Sequence, residues 1–512
     1  MQANTLPNEL QMYSNKRNLN PAERITMIYK PMQEKNSPTT KIRTSGAEII
    51  SIPLAIFFAF ALNGRLSKLI LSGYNLYDTK RILEIALLLG ICLILLFSHK
   101  QRQFWLTLFS QLTRQTKLLI TGIIIFGVIS SIVAPIPQDA FLSLSHVVLL
   151  FFFTLFIAVQ RQHFGDSYDK ILVLIIVLAV IIYEGEFIKA MISYAVQERI
   201  FYFHPIFENS RFLCQFQTWT LPLITLPILL ARESTPTRRK LIFLSTLLIA
   251  GTWWAIAIAN GSKGSLLGQL IGWMGIAIIF RGRSREWLLV QFYALLASIF
   301  IFIVFFAPEL RYDNFSAFSQ SLVSRMALWE QAVQLIKDNP LLGAGPLHYA
   351  YFRNPYAAHP HNSMLQIASE WGIPVLLMVS LLAITNFTSW VKRITENPVH
   401  LSLTASLLAA AFHSLISGVL TMPISQIMMC LVIGWMYGIR QPLQIAADRS
   451  ASSTAKWALL FVMLLSIAGV AQGIFPEVSF LSEVEEAWLN SHERSEGHAA
   501  WNPRFWFQGW LR

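Results

Sequence analysis

Charge is scarce in this chain. Only 13% of its 512 residues are Asp, Glu, Lys or Arg, whereas 54% are hydrophobic. With a mean hydropathy of +0.51, that balance excludes an ordinary water-soluble domain of this length. Cysteine is nearly absent. The three present, Cys92, Cys214 and Cys430, all fall in apolar runs without metal-type spacing, so they are expected to be core thiols and no disulfide is expected. There is no internal repeat at a solenoid or propeller period, and the one modestly Ser/Thr-containing linker is 446–454.

Long apolar runs are what the chain has in abundance. A hydrocarbon core of about 30 Å needs roughly 17 to 25 apolar residues per spanning helix. Thirteen runs approach that length: 49–62, 82–97, 118–133, 141–159, 171–190, 212–231, 241–259, 266–280, 287–307, 364–390, 401–420, 424–439 and 457–474. The expected fold is therefore all-α, a polytopic integral membrane bundle of 12–13 transmembrane helices, the first, eighth and twelfth runs being short. Basic residues cluster in alternate loops: Lys100, Arg102, Arg114 and Lys117; Arg232, Arg238, Arg239 and Lys240; Arg281, Arg283 and Arg285; Arg440, Arg449 and Lys456. Under thirteen helices these share one side, which the positive-inside rule makes cytoplasmic; only Arg65, Lys68, Lys80 and Arg81 stand against the pattern. Topology and attraction to anionic lipid account for the net charge of +12, so nucleic-acid binding is excluded. Residues 1–46 are polar and lack an apolar core, which makes them a cytoplasmic tail and not a signal peptide.

One large outer segment remains, residues 308–362, together with an outer tail, 475–512. Within the large segment, Leu322, Arg325, Leu328, Trp329, Ala332, Val333 and Ile336 recur at helical spacing over 321–338, and Asn339-Pro340 stops that helix. Its apolar stripe either packs on the bundle or rests in the lipid interface. The segment ends in His359-Pro360-His361-Asn362, titratable rings at the mouth of a membrane bundle.

The order of residues here resembles a known family. Arg325-Met326-Ala327-Leu328-Trp329, Asn339-Pro340-Leu341-Leu342-Gly343-Ala344-Gly345-Pro346, His361-Asn362-Ser363-Met364-Leu365-Gln366 and Glu370-Trp371-Gly372-Ile373-Pro374 are similar to the large periplasmic loop of the O-antigen ligase and polymerase superfamily, which includes bacterial protein O-oligosaccharyltransferases. His361, Asn362 and Gly372 keep the ligase spacing; Val375 stands where a small or hydroxylated residue is usual, a departure that leaves the subtype open. The resemblance implies transfer of a glycan from undecaprenyl pyrophosphate to an acceptor hydroxyl on the periplasmic face of the bacterial inner membrane. The acceptor is lipid A-core, another carrier-linked glycan, or a protein; membrane lipids are the remaining partners.

The chemistry gives the residues distinct tasks. Negative charge develops on phosphate as the sugar departs, and a fixed cation there stabilises the transition state more than the ground state. Arginine supplies two parallel donors, and Arg325 is the first candidate. The attacking hydroxyl must lose a proton, and an imidazole is suited to take it near neutral pH; that role falls to His361. Lys263, in Asn260-Gly261-Ser262-Lys263-Gly264 where the family more often has Ser-Arg-Gly, and Arg211, at the start of the sixth run, are candidate donor-binding cations or snorkelling interface residues. His359, either a donor ligand or a spacer, Asn362 and Glu370 complete the candidate substrate-binding set. Glu370 falls inside the tenth run and needs a partner, which is either a histidine or cation of the site or a structural hydrogen bond. No metal or other cofactor is expected: the paired histidines lack a third ligand, no Asp-x-Asp triplet occurs anywhere, and the first outer loop is basic. His146 and His413 are expected to be satisfied interior residues, and Glu184, Glu186 and Lys189 to pair among themselves. The rival from another class is a transporter of a lipid-linked or anionic solute, which leaves the outer segment unexplained. The aromatic tail 501–510 is suited either to the interface or to the acceptor.

Overall fold

The computed structural model describes residues 40–197, 204–306, 314–393, 395–440, 452–490, 504–509 and 511. The expected tail before residue 40, the start of the expected large outer segment, the loop residues 441–451 and the tail residues 491–503 lie outside the described residues. The described residues from 47 onward belong to one compact unit. The described residues are helical, without strands, as an all-α polytopic membrane bundle requires.

The helices are α1 (Thr40–Ala61), α2 (Gly64–Ile70), α3 (Leu76–Phe97), α4 (His99–Gln111), α5 (Arg114–Val133), α6 (Pro137–Phe164), α7 (Asp166–Gln197), α8 (Ser210–Thr220), α9 (Leu226–Leu230), α10 (Pro236–Ala259), α11 (Lys263–Phe280), α12 (Arg285–Phe305), α13 (Asn314–Asp338), α14 (Ser363–Trp371), α15 (Ile373–Val391), α16 (Pro398–His413), α17 (Pro423–Arg440) and α18 (Ser453–Asn490). Asparagines start several of them: Asn63, Asn75, Asn209, Asn362 and Asn397 each accept from backbone N–H groups of the first turn.

Among the described residues seven helices are long and apolar enough to cross a membrane, or nine if the two pairs bent by 101° and 102°, α1 with α2 and α3 with α4, each make one span. One of the seven is a 43-residue stretch, Lys263–Phe305, broken by a short turn of 3-10 helix at Arg281–Ser284 and covering two of the thirteen runs. Three further runs, 212–231, 401–420 and 424–439, supply none of these spans. Run 212–231 is cut into the 11-residue α8 and the five-residue α9, because Pro222 and Pro227 interrupt it. The broken backbone is nevertheless satisfied: Gln291 Nε2 reaches Thr225 Oγ1 at 2.6 Å and Pro222 O at 3.4 Å. Run 401–420 stops being helical after His413, and residues 414–422 turn through the interior before α17. Run 364–390 also divides, at Gly372, whose φ of +85° ends α14 and starts α15. Glu370 therefore lies on a short helix ahead of the span and not within it.

Helix α6 is the hub, packed on α3, α5, α17 and α18, while α11 lies along α16 and α10 along α12. Glycine makes the closest seams. A Cβ on Gly268 or Gly272 of α11 would lie 2.7 or 2.8 Å from the carbonyl oxygens of Ala409 and Ala405 of α16, and Gly434 with Gly438, and Gly469 with Gly473, let α17 and α18 approach α6 in the same way. Small residues four apart bring membrane helices into van der Waals contact where lipid removes the hydrophobic drive to associate. Large apolar side chains such as Leu118, Ile125, Leu174, Leu241, Phe300 and Phe461 stay exposed on the rim, as a lipid-facing surface demands. All three cysteines are buried and free. His413 Nδ1 bonds Thr218 Oγ1 at 2.8 Å, and Lys189 pairs with Glu186 at 2.5 Å.

Candidate functional site

Helix α13 carries Arg325 and builds a small core of its own. Leu328, Ala332 and Leu335 are buried against Ala344, Tyr349 and Ala357, so the stripe packs on its own loop, with Val323, Met326 and Val333 outward. The turn that follows interlocks with the end of α14. Gly343 has a φ of +69°, a Cβ there would collide with the Glu370 carbonyl, and one on Gly372 would collide with Leu341. Backbone bonds run across this joint, Ala344 N to Ser369 O (2.8 Å), Gly345 N to Glu370 O (3.0 Å) and Ile373 N to Pro340 O (2.9 Å). The two glycine motifs that are far apart in sequence are thus the two halves of one close backbone contact.

The histidine segment is held between α13 and the unwound residues 414–422. Trp329 Nε1 donates to Pro360 O at 3.0 Å, and Ser363 N donates to Ser414 O at 2.9 Å. His359 is 2% exposed, and its Cε1 would lie 2.8 Å from a Cβ on Gly418. His359 Nδ1 accepts from His361 N at 3.3 Å, and the rings sit 4.1 Å apart at 68°. His361 has a φ of +51°, a left-handed conformation that costs a non-glycine residue free energy and is tolerated where its surroundings enforce it.

Four of the candidate residues share one electrostatic environment. Burial, then His359, Arg211 and Arg325, hold the half-buried His361 ring well below its usual pKa. His359 is pulled down to about 3 by burial, with Arg504 and Arg211 adding to it. Arg325 is lowered by burial and by Arg211. Burial and the field of Arg211 and Arg325, whose charges repel each other, thus favour the neutral form of both rings.

The remaining candidates stand at the edge of this group. Asn362 caps α14, accepting from Met364 N and Leu365 N at 3.0 and 3.1 Å. Lys263 opens α11; a Cβ on its neighbour Gly264 would lie 2.9 Å from the His413 ring, and His413 feels the charge of Arg325. Glu370 does not turn to the histidines. Its carboxylate is buried and ion-paired with Arg504 at 2.5 Å, and it accepts from Tyr349 N at 3.3 Å. Among the described residues no three His, Cys, Asp or Glu side chains come together as a metal site.

Two features were not foreseen from sequence. Lys80 and Arg81, half of the cations that break the loop-charge pattern, are consumed inside the fold. Lys80 donates to Leu76 O and Ile206 O, and Arg81 to Glu84, Gln426 Oε1, Thr421 O and Phe505 O. Residues 504–509 of the tail are likewise inside the protein and not at the lipid interface, with Phe505 and Trp506 buried. The one sequence signal for the latter was Glu370 itself, a carboxylate needing a cation.

Residues 245–380 match the family model described as O-antigen ligase, a match that supports the O-antigen ligase superfamily for this region and a membrane enzyme of the ligase and polymerase type. Lipid-linked glycans and their acceptors are the partners this family implies in general. The matched region contains Lys263, Arg325, His359, His361, Asn362 and Glu370; Arg211 and Arg504 lie outside it. The chain matches none of the curated proteins with which it was compared.

Proposed function

We propose that this protein is a multi-pass inner-membrane glycosyltransferase that moves a glycan from undecaprenyl pyrophosphate to an acceptor hydroxyl at the periplasmic face, with its amino terminus in the cytoplasm. The observation that carries the reading is the docking of the His359–His361 segment on the helix that bears Arg325, Trp329 Nε1 donating to Pro360 O at 3.0 Å, inside the region that matches the O-antigen ligase family model. The pyrophosphate of the donor settles between Arg325, Arg211 and Lys263. His361 takes the proton from the acceptor hydroxyl as its oxygen attacks the anomeric carbon. The bond from that carbon to the pyrophosphate oxygen breaks, the electron pair leaves on phosphate, and the arginines receive the new charge. A single displacement of this kind inverts the anomeric centre and needs no metal.

The electrostatics make the base responsive to its substrate. The two arginines depress the His361 pKa, so an anion lodged between them relieves that repulsion and raises the ring's basicity when the donor is bound. Burial keeps some of the depression in place, which leaves the ring unprotonated and ready. Lipid A-core or a related glycan hydroxyl is the favoured acceptor; a carrier-linked repeat or a Ser or Thr of an exported protein would be served by the same chemistry.

The test is transfer in membranes containing a lipid-linked repeat and a candidate acceptor. His361→Ala is expected to abolish transfer and release of undecaprenyl pyrophosphate at normal protein level, and Arg325→Lys to lower the rate by roughly tenfold or more, because charge remains and the paired donors go. Glycan attachment retained by His361→Ala removes the assignment. Flipping of the lipid-linked glycan without bond cleavage would transfer the chain to the transporter class.

A further inference from the structure

Residues 504–509 take no part in the steps above, yet side chains and backbone of the bundle hold them in place. Tyr77 OH donates to Arg504 O (2.7 Å), Arg81 Nε to Phe505 O (3.0 Å), Phe507 N to Asp78 Oδ1 (2.7 Å) and Trp506 Nε1 to Glu477, while Leu511 N donates to Ala350 O at 3.2 Å. The Arg81 guanidinium also faces the Phe505 ring at 4.9 Å. A tail resting in lipid headgroups would have no such receptor.

The Arg504 side chain is buried as well, 7% exposed. Its Nη2 spans both Glu370 oxygens at 2.7 and 2.5 Å, and Gln366, with its amide turned so that the oxygen faces the guanidinium, accepts from Nη1 and Nη2 at 2.5 and 2.6 Å. Gln366 and Glu370 are one turn apart on the same face of α14, the helix that begins two residues after His361. The other ties of Glu370 lead back to α13: its Oε1 accepts from Tyr349 N, and Tyr349 OH donates to Leu328 O at 2.9 Å, three residues after Arg325. A buried carboxylate without a partner is strongly destabilising, so the α14 face that carries Gln366 and Glu370 is complete only with the tail in place.

We propose that Arg504 is a positioning residue of the transfer site: by clamping Gln366 and Glu370 it fixes α14, and with it His361, against α13 and Arg325. Glu370 occupies Arg504, so the guanidinium acts through α14 and is not a ligand of the donor phosphate. The tail is thereby a working part of the enzyme supplied from the far end of the chain. This inference rests on the reading of His361 and Arg325 as the transfer site.

The experiment compares Arg504→Met, Arg504→Lys and the double variant Glu370→Gln/Arg504→Gln with wild type and His361→Ala, in the full chain reconstituted with a lipid-linked glycan. It measures kcat and donor KM per monodisperse monomer. Arg504→Met is expected to lose about tenfold or more in kcat, as a small misplacement of a catalytic group does, with donor KM within about twofold of wild type. Arg504→Lys falls between. The double variant, which buries no unpaired charge, recovers above Arg504→Met yet stays below wild type because the fork is gone. A wild-type kcat per folded monomer in Arg504→Met overturns the proposal. So does a raised donor KM at unchanged kcat, which would make Arg504 a donor ligand. Should Arg504→Met fail to accumulate, the double variant decides: kcat at the wild-type level overturns the proposal, and a deficit at unchanged KM supports it. Transfer by His361→Ala would instead remove the underlying reading, whereas an inactive His361→Ala beside a fully active Arg504→Met removes only the role of Arg504.

Discussion

Replacing Trp329 by phenylalanine removes one hydrogen bond and little else. The indole nitrogen donates to Pro360 O at 3.0 Å, and that carbonyl lies between the two histidines, so this bond fastens α13 to the peptide that carries the proposed base. The remaining aromatic surface keeps most of its contact. A hydrogen bond of this type contributes about 0.5–1.5 kcal/mol net, toward the low end where water replaces the donor, as it can at a half-buried side chain. If the docked segment is the geometry used in the transition state, the same energy appears in the rate, a loss of roughly two- to twelvefold. Global stability changes by no more than that energy, a small part of the about 5–15 kcal/mol typical of a folded domain. The assay is single-turnover transfer from a lipid-linked glycan by Trp329→Phe in nanodiscs, with thermal unfolding and protein level measured on the same sample. Transfer at the wild-type rate, or a fall that only tracks the amount of folded protein, would refute the idea that α13 sets the position of His361. Trp329→Ala is the harsher comparison, since it also deletes ring contacts and its loss includes unfolding.

Arg211→Gln removes one of the cations that depress the His361 pKa. The pKa of the free ring then rises toward its ordinary value near 6.5, and the acid limb of the kcat/KM profile moves to higher pH; an unmoved limb would separate Arg211 from His361. In the α11–α16 seam, Gly268→Ala places a Cβ 2.7 Å from Ala409 O and is expected to cost about 1–3 kcal/mol, read as a lower Tm in detergent. Gly90→Ala is its control: a Cβ there meets nothing within 4 Å, so Tm should hold or rise slightly, and equal losses in both variants would contradict the seam. Thiol labelling of the native protein should leave Cys92, Cys214 and Cys430 unmodified until denaturant is added, all three being buried.

The helices of the outer segment were legible for local reasons. The recurrence of Leu328 and Ala332, the stop at Asn339-Pro340 and the cap at Asn362 all act within one or two turns of the chain. The interruptions inside the bundle were harder to read. Hydropathy registers that 212–231 and 401–420 are apolar, but not that buried Gln291 donates to Pro222 O, that Gln215 donates to Ser417 Oγ or that Ser414 O accepts from Ser363 N, because that depends on which element lies opposite. Helix α14 was merged into the span that follows for the same reason: Gly372 is one residue in a long apolar run, and only its fit against Leu341 makes it a break.

The sequence alone determined the membrane class, the long polar segment 308–362 between apolar runs, and the order and spacing of Arg325, His361 and the paired glycine motifs, since hydropathy and turn chemistry are properties of neighbouring residues. Tertiary structure decided which charges work and which are spent. Arg81 is folded into the interior, and Glu370 meets an arginine 134 residues further along the chain. Such pairings have no sequence signature because their energy arises from desolvation, which exists only after the helices have closed around both partners.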